Sequence, residues 1–150
     1  MSPKDDAALA KEQNISIEFD LQEDSSILIL EDDLYQIIFN LAENGIKYNK
    51  SNGQLVITLL RQEENAIIRI KDSGVGIPEE SIAHVFERFY RIDKARSRKS
   101  GGAGLGLAIV KTMVERNHGE ISVESVLGEG TEFTVVFPIF DVEESLWQEE

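Results

Sequence analysis

Two asparagines and a lysine share one face of a predicted helix. Asn40, Asn44 and Lys47 stand at positions i, i+4 and i+7, a spacing that places them along one stripe of an α-helix. Amide oxygens suit Mg²⁺, a hard ion that takes few protein ligands and completes its shell with water and phosphates, and an ammonium group suits a phosphate. The same spacing is typical of a solvent-exposed face, so the residues alone leave both interpretations open.

An aspartate stands at the end of a predicted strand, directly before two glycines. Asp72 precedes Gly74 and Gly76 in the stretch DSGVGIP (72–78). An aspartate in this position commonly forms an Asx-turn. Alternatively, a buried carboxylate here can accept a hydrogen bond from an exocyclic amine such as adenine N6, because glycines let the backbone approach a flat ring that a Cβ would obstruct.

A glycine-rich segment precedes another predicted helix. Four glycines lie between Gly101 and Gly106 in the stretch RKSGGAGLGLAIVK (98–111). Backbone N–H groups in such a segment can surround an anion, and the following helix adds the partial positive charge of its N-terminus. This chemistry favours polyphosphate, although a flexible hinge has the same composition. The segment lacks the Gly-Lys-Ser/Thr ending of a P-loop and does not directly follow a strand, as a dinucleotide-binding fingerprint must.

Basic residues concentrate beside these glycines. Six of the 15 Lys and Arg residues fall in positions 88–99, where one Asp leaves a local charge of six minus one, or +5, in a chain of net charge −13. The overall charge argues against nucleic acid as a partner. The local cluster is either a solvated loop or an anion site, and its position next to the glycines favours the anion site.

Length and composition are those of one folded domain in a reducing compartment. The chain has 150 residues, 41% of them hydrophobic, and no cysteine, which excludes disulfides and thiolate metal sites. It contains neither a run of 18 apolar residues nor the apolar core of a signal peptide, so we expect a cytoplasmic location. We predict a flexible segment or linker remnant at 1–14, the folded domain at 15–140 and an acidic tail at 141–150.

Apolar periodicity predicts the elements that must position these groups. Alternation of apolar and polar residues predicts strands, whereas spacings of three and four predict amphipathic helices. The predicted strands are 15–21, 27–31, 54–62, 66–71, 120–125 and 131–138, and the predicted helices are 32–49, 78–90 and 105–117, with a long lid at 91–104. This order predicts an α+β two-layer sandwich, in which about three helices cover one face of a mixed, largely antiparallel sheet and the lid is mobile.

Four segments, taken in order, resemble the four boxes of the catalytic and ATP-binding domain of sensor histidine kinases. They are NLAENGIKYN (40–49) for the N box, DSGVGIP (72–78) for the first glycine box, VFERFYRID (85–93) for the F box and GGAGLGLAIVK (101–111) for the second glycine box. The closing hairpin of the family is similar to residues 118–138, so the resemblance covers about 15–138. It implies the Bergerat fold, which DNA gyrase, a heat-shock chaperone family and the MutL repair proteins share, and Mg²⁺-ATP as the ligand.

The resemblance implies a role for each matching residue. Asn44 would bind Mg²⁺ with help from Asn40, Lys47 would contact phosphate, and Asp72 would accept the adenine amine. Arg88 would support the lid. The adenine side of the pocket would be formed by Tyr48, Gly74, Gly76, Ile77 and Thr131, and the phosphates would be contacted by Arg91, Gly102, Gly104, Leu105, Gly106 and Leu107, with Arg91 reaching the γ-phosphate.

Two residues depart from the family pattern. Gly45 stands where alanine usually follows the Mg²⁺ asparagine, which costs about 1 kcal/mol of helix propensity. Ala103 stands where threonine or serine is common, so one hydroxyl contact to phosphate is missing. Neither change removes a charged or metal-binding group, so we expect nucleotide binding to survive both.

The resemblance also implies a reaction whose acceptor lies outside this chain. In the family, the γ-phosphoryl group passes to a histidine of a separate dimerisation domain and then to a response regulator. His84 and His118 do not match the H box that carries this histidine. We therefore expect a monomeric catalytic domain that belongs to a membrane-anchored kinase. ATPase relatives carry a glutamate where this chain has Asn40, which cannot act as a general base, so ATP hydrolysis is expected to be slow.

Two other functions use the same residues. A serine protein kinase of the anti-sigma-factor type shares the fold, but the long basic lid and the FERFYR motif favour the histidine kinase. A non-catalytic nucleotide-sensing module is the other alternative, and the presence of Asn44, Lys47 and Arg91 argues against it.

Overall fold

The elements follow the predicted apolar periodicity closely. A computed structural model describes residues 15–21, 31–90 and 106–139. In chain order the elements are β1 (Ser16–Leu21), α1 (Glu31–Lys47), β2 (Gln54–Gln62), β3 (Asn65–Asp72), α2 (Glu79–Ile82), α3 (Gly106–Arg116), β4 (Glu120–Val126) and β5 (Gly130–Pro138). No helix in these ranges is both long and apolar enough to cross a bilayer.

The strands form one five-stranded sheet in the order β1-β2-β3-β5-β4. β1 runs parallel to β2, with α1 between them in the chain, and the other neighbouring strands are antiparallel. A parallel pair requires such a crossover, whereas hairpins suffice for β2–β3 and β4–β5. The predicted α+β class, with a mixed and largely antiparallel sheet, is confirmed.

Alternate residues of the central strands form the core beneath the helices. Ile68 and Ile70 of β3 lie opposite Val135 and Phe133 of β5, and all four are buried. The helices add fully buried residues to the same cluster, namely Ile37 and Leu41 from α1 and Val110 and Val114 from α3. Each such side chain contributes about 2 kcal/mol of transfer free energy, so packing against the sheet, more than helix propensity, fixes α1 and α3.

Gly45 lets α1 approach the sheet closely. A Cβ at this position would lie 2.5 Å from Cδ1 of Leu55 and 3.6 Å from Cβ of Asp72. The last turns of α1 therefore lie directly above the adjoining ends of β2 and β3. The helix-propensity cost of this glycine is offset by a contact that brings the polar stripe of α1 towards Asp72.

A buried carboxylate joins the first turn of α1 to the last turn of α3. Asp33 is 3% exposed and accepts hydrogen bonds from the Arg116 guanidinium, with Nε at 2.7 Å, and from Nδ2 of Asn117 at 2.8 Å. The Arg116 bonds, and then the Asn117 bond, hold the pKa of Asp33 below its ordinary value. This cluster fixes the ends of the two helices that lie away from the glycine-rich segment.

The prediction of a helix over 78–90 is wrong beyond Ile82. α2 has four residues, and the chain then continues through turns in which His84, Glu87 and Tyr90 donate backbone hydrogen bonds three residues back. Phe89 has a φ of 66°, in the left-handed region that ends a right-handed helix. The Tyr90 hydroxyl donates to Oγ of Ser81 at 2.8 Å, so the turns fold back onto α2.

Other differences concern element ends. Glu31, predicted as the end of a strand, is the first residue of α1, and the rest of the predicted strand at 27–31 lies outside the described residues. The predicted lid at 91–104 also lies outside them. The predicted end of α3 near His118 and Gly119 is confirmed, because His118 has a φ of 66° and the Gly119 amide donates to the Val114 carbonyl at 2.9 Å.

Candidate functional site

A row of residues crosses one end of the sheet beneath α1. Asp72 at the end of β3 pairs with Leu55 on β2 and with Thr131 on β5, and Thr131 pairs with Ser125 on β4. Directly paired residues point to the same side of a sheet, and Leu55 belongs to the core on the helix side. Asp72 and Thr131 are both buried, so a carboxylate and a hydroxyl extend the apolar core at this end.

Among the described residues, only one oxygen of the Asp72 carboxylate has hydrogen-bond partners. Oδ1 accepts hydrogen bonds from the amides of Gly74 at 2.8 Å and Thr131 at 3.3 Å. Among residues 15–21, 31–90 and 106–139, no group donates to Oδ2. Burial raises the pKa of Asp72 to about 6, although the two amide bonds act in the opposite direction. A buried acceptor that lacks a donor is costly, and a ligand that offers an N–H would satisfy it.

The glycine loop after Asp72 is held between α1 and the β4–β5 turn. The Val75 amide donates to the Tyr48 carbonyl at 3.0 Å, and the Gly128 amide donates to the Val75 carbonyl at 2.8 Å. Farther along the loop, the Ile77 amide donates to Oγ of Ser125 at 2.7 Å. These bonds make the loop a fixed wall beside Asp72.

Two glycines are required by this packing. A Cβ on Gly74 would lie 2.2 Å from the Tyr48 carbonyl oxygen. Gly76 has a φ of 75°, and a Cβ there would lie 2.3 Å from the Val126 carbonyl oxygen. Because both obstacles are backbone atoms, a side chain at either position would displace the loop. Gly74, Gly76, Ile77, Asp72 and Thr131 are thus brought together, with the Tyr48 backbone beside them.

The polar stripe of α1 carries two side-chain amides without a hydrogen-bond partner in the described segments. Asn40 and Asn44 are half-buried, and their side chains make no hydrogen bond to another residue of the described segments. Lys47 forms an ion pair with Glu43 at 2.8 Å, one turn back along α1. No cluster of three acidic or histidine side chains occurs in those segments. The stripe thus presents neutral amide oxygens, a type of group that suits Mg²⁺ when phosphates complete its shell.

Asn49 is a structural residue that sequence reasoning missed. Its side chain is buried, donates to the Gln54 carbonyl at 2.8 Å and accepts from the Ser73 hydroxyl at 3.2 Å. Asn49 thereby ties the end of α1 to the start of β2 and to the glycine loop. The last residue of NLAENGIKYN was a signal available in the sequence, but its partner Ser73 lies 24 positions away.

Residues 106–116 and the F box meet over the core. Phe86 packs edge-on against Phe133 with ring centroids 6.1 Å apart, and Nζ of Lys111 lies 5.9 Å from the Phe86 centroid. Gly106 is the exposed first residue of α3, and Leu107 packs against the core. The predicted phosphate-site residues Arg91, Gly102, Gly104 and Leu105 lie outside the described residues, whereas Arg88 is exposed.

Comparison with known proteins identifies the family. Residues 29–141 match the family described as histidine kinase-, DNA gyrase B-, and HSP90-like ATPase. The sensor histidine kinase RppB of a Synechocystis species is 46% identical over 112 residues, which is 75% of this chain and 25% of RppB. The sensor histidine kinase WalK of Bacillus subtilis is 40% identical over 144 residues, which is 94% of this chain and 24% of WalK. The chain thus spans about a quarter of the length of these relatives.

Solved structures with the same fold agree with this result. The mycobacterial sensor histidine kinase MprB has a TM-score of 0.76 and 28% identity, and the match covers 89% of this chain and 90% of that one. Full-length ShkA, solved in complex with AMPPNP, has a TM-score of 0.76 and 29% identity over 91% of this chain and 28% of ShkA. The family model covers most of the chain, and these structures share its sheet and helices; the chain therefore belongs to the family of histidine kinase-, DNA gyrase B- and HSP90-like ATPases.

Proposed function

We propose that this chain is the ATP-binding catalytic domain of a two-component sensor histidine kinase. It binds Mg²⁺-ATP and donates the γ-phosphoryl group to a histidine on a separate dimerisation domain. The observation that carries the proposal is the buried Asp72 carboxylate, whose Oδ2 has no donor among the described residues. The names of the relatives support a histidine kinase over the serine kinase and the non-catalytic module.

The adenine end of the ligand lies at Asp72. Oδ2 of Asp72, which has no donor among the described residues, accepts a hydrogen bond from the N6 amine. The loop of Gly74, Gly76 and Ile77 borders the adenine ring. Tyr48 and Thr131 complete this side of the pocket. A carboxylate that is already oriented by two backbone amides loses little freedom when it binds an amine, which favours affinity.

The phosphate end of the ligand lies along α1. The amides of Asn44 and Asn40 would hold Mg²⁺, which offsets charge on the phosphates when it is bound. Lys47 contacts phosphate and must then leave or share its ion pair with Glu43. Arg91 reaches the γ-phosphate, and Gly102, Gly104, Leu105, Gly106 and Leu107 line the triphosphate. Because metaphosphate-like transfer depends on position and charge, these groups supply the catalysis that this chain contributes.

The acceptor histidine lies on another domain. In the transfer, the bond from the γ-phosphorus to the bridging oxygen breaks, a bond from phosphorus to the acceptor nitrogen forms, and ADP leaves. His84 is not expected to be the acceptor, because its sequence context does not match the H box; in the structure its Nδ1 lies 2.9 Å from Oε1 of Glu87 and its ring stacks on Tyr90. His118 lies in the turn that ends α3. Asn40 cannot activate water as a base, so hydrolysis by the isolated chain is slow.

Calorimetry and phosphoryl transfer test the proposal separately. Titration of the chain with a non-hydrolysable ATP analogue and Mg²⁺ should give saturable binding, and Asp72→Asn should weaken it by about tenfold or more, as expected when a charged acceptor is lost. Asp32→Asn, at an exposed position of α1, is the matched control and should bind like the unmodified chain. Mixing the chain with a histidine-containing dimerisation domain and γ-labelled ATP should label that domain alone. Label on this chain, or absence of nucleotide binding, would contradict the proposal.

A further inference from the structure

We propose that Ser125 determines base specificity, because its hydroxyl forces the Thr131 hydroxyl to act only as an acceptor towards the purine and so excludes 6-oxopurine nucleotides. The inference rests on the proposed binding of adenine at Asp72 and Thr131. Ser125 is a positioning residue, since it acts through Thr131.

Three groups surround the Ser125 hydroxyl. The Ile77 amide lies 2.7 Å from Oγ, the Gly130 carbonyl oxygen lies 2.8 Å away, and Oγ1 of Thr131 lies 2.8 Å away. Neither the Ser125 hydroxyl nor Oγ1 of Thr131 has a further partner within the described part of the chain. Ser125 therefore connects the glycine loop, the start of β5 and the buried threonine.

Hydrogen counting fixes the direction of each bond. A serine hydroxyl has one hydrogen and two acceptor positions. The Ile77 amide can only donate, and the Gly130 carbonyl can only accept, so the single hydrogen of Ser125 points to Gly130. Thr131 must then donate its own hydrogen to Ser125. The Thr131 hydroxyl has no hydrogen left for a ligand and keeps only lone pairs.

Two acceptors consequently meet at this end of the sheet. Asp72 and Thr131 lie directly opposite each other on β3 and β5, and Oδ2 of Asp72 lacks a donor among the described residues. An exocyclic amine supplies a donor to this pair. A carbonyl oxygen at the same position of hypoxanthine or guanine would face lone pairs without any donor, and buried acceptors that face one another are costly.

Removal of Ser125 Oγ would release two donors. In Ser125→Ala the Thr131 hydroxyl becomes free to turn its hydrogen to a ligand, and the Ile77 amide loses its acceptor. The freed Thr131 hydrogen favours a carbonyl at purine C6. If Ser125 had a purely structural role, its removal would loosen the pocket and would weaken the binding of all purine nucleotides equally.

The test compares ATP with inosine triphosphate, both with Mg²⁺, on the full chain. The unmodified chain should bind ATP more tightly than inosine triphosphate. Ser125→Ala should lower the ratio of the dissociation constant for inosine triphosphate to that for ATP by about tenfold, which corresponds to the free energy of one hydrogen bond. Ser125→Thr, which keeps the hydroxyl, should retain the ratio. Ser122→Ala, an exposed serine of the same strand, is the control and should also retain it.

Each outcome decides the proposal. If Ser125→Ala weakens both nucleotides equally, or if the unmodified chain binds both equally, the inference is overturned although ATP binding stands. If the unmodified chain binds neither nucleotide, the proposed function itself fails. Should Ser125→Ala not fold, Thr131→Val replaces it: loss of the acceptor should also lower the ratio, and an unchanged ratio overturns the inference.

Discussion

The amide of Thr131 donates to Oδ1 of Asp72 across the β3–β5 pair, at 3.3 Å, and both residues are buried. Together with the Gly74 amide it orients the carboxylate. Yet these bonds do not cancel the effect of burial, which raises the pKa of Asp72 from 3.8 to about 6. The chain therefore retains a partly desolvated carboxylate at this point of the sheet.

The first prediction concerns stability against pH. The folded state holds the Asp72 proton more tightly than the unfolded state, so this group stabilises the fold below pH 4 and loses that contribution as pH rises through about 6. Asp72→Asn removes the titration. Relative to the unmodified chain, it should gain about 2 kcal/mol in unfolding free energy between pH 4.5 and 7.5. Urea unfolding at the two pH values measures this gain, and a constant difference would show that burial does not perturb Asp72.

The second prediction concerns the metal-binding amide. Asn44→Ala should reduce the affinity for the Mg²⁺ complex of a non-hydrolysable ATP analogue by at least about tenfold. Thermal stability should change little, because the amide makes no hydrogen bond to the described residues. Gln36→Ala, at an exposed position of the same helix, is the control. Calorimetry with and without Mg²⁺ measures the effect. An unchanged affinity in the presence of Mg²⁺ would show that Asn44 does not contribute to nucleotide binding.

The third prediction concerns the glycine loop. Gly74→Ala places a Cβ 2.2 Å from the Tyr48 carbonyl oxygen, which belongs to the backbone and cannot rotate away. We expect a loss of about 1–3 kcal/mol in stability, together with loss of nucleotide binding. Gly106→Ala has open space around it and should be neutral or up to about 1 kcal/mol stabilising. Denaturant titration of both variants tests this contrast, which would disappear if the loop were free to move.

The fourth prediction concerns the contact between α1 and α3. Asn117 is buried and bridges Asp33 and the Met113 carbonyl with bonds of 2.8 and 2.7 Å. Asn117→Ala should cost about 1–2 kcal/mol, because Asp33 and the Met113 carbonyl each lose one hydrogen bond, although Arg116 still donates to both oxygens of Asp33. The pKa of Asp33 is lower in the folded chain than its ordinary value. The contribution of ionised Asp33 to the free energy of unfolding should therefore persist above pH 4 and disappear as pH falls below that value. Thermal melts of the variant and the unmodified chain in a series from pH 7 to pH 2 measure both effects, and a difference that stays constant over the whole series would contradict a role for ionised Asp33.

Local sequence signals predicted the five strands of the sheet, as the alternation of Thr131, Phe133, Val135 and Phe137 on β5 illustrates. Pro78 and the two glutamates after it correctly predicted the start of α2. The same signals failed after Ile82, because the turns there depend on tertiary contacts such as the hydrogen bond from Tyr90 to Ser81. Sheet order, with β5 between β3 and β4, has no local signal either.

The same distinction applies to the candidate site. The types and spacing of Asp72, Gly74 and Gly76 could be interpreted from the sequence, since a carboxylate and two glycines carry chemistry by themselves. Asn49 and Ser125 could not, because their roles arise from partners 24 and 48 positions away. The proximity of α1 to Asp72 likewise depends on Gly45, which in sequence had only a helix-propensity cost.

The attachment of α3 is uneven along its length. Arg116 and its neighbour Asn117 tie the far end to α1, and Val110 and Val114 are fully buried, whereas Gly106 is exposed with no atom near its Cβ position. Ten residues separate Gly106 from Arg116, or about 15 Å at the helical rise. Fraying of α3 is therefore expected to begin at Gly106, the end of the helix that lies farthest from the Asp33 contact.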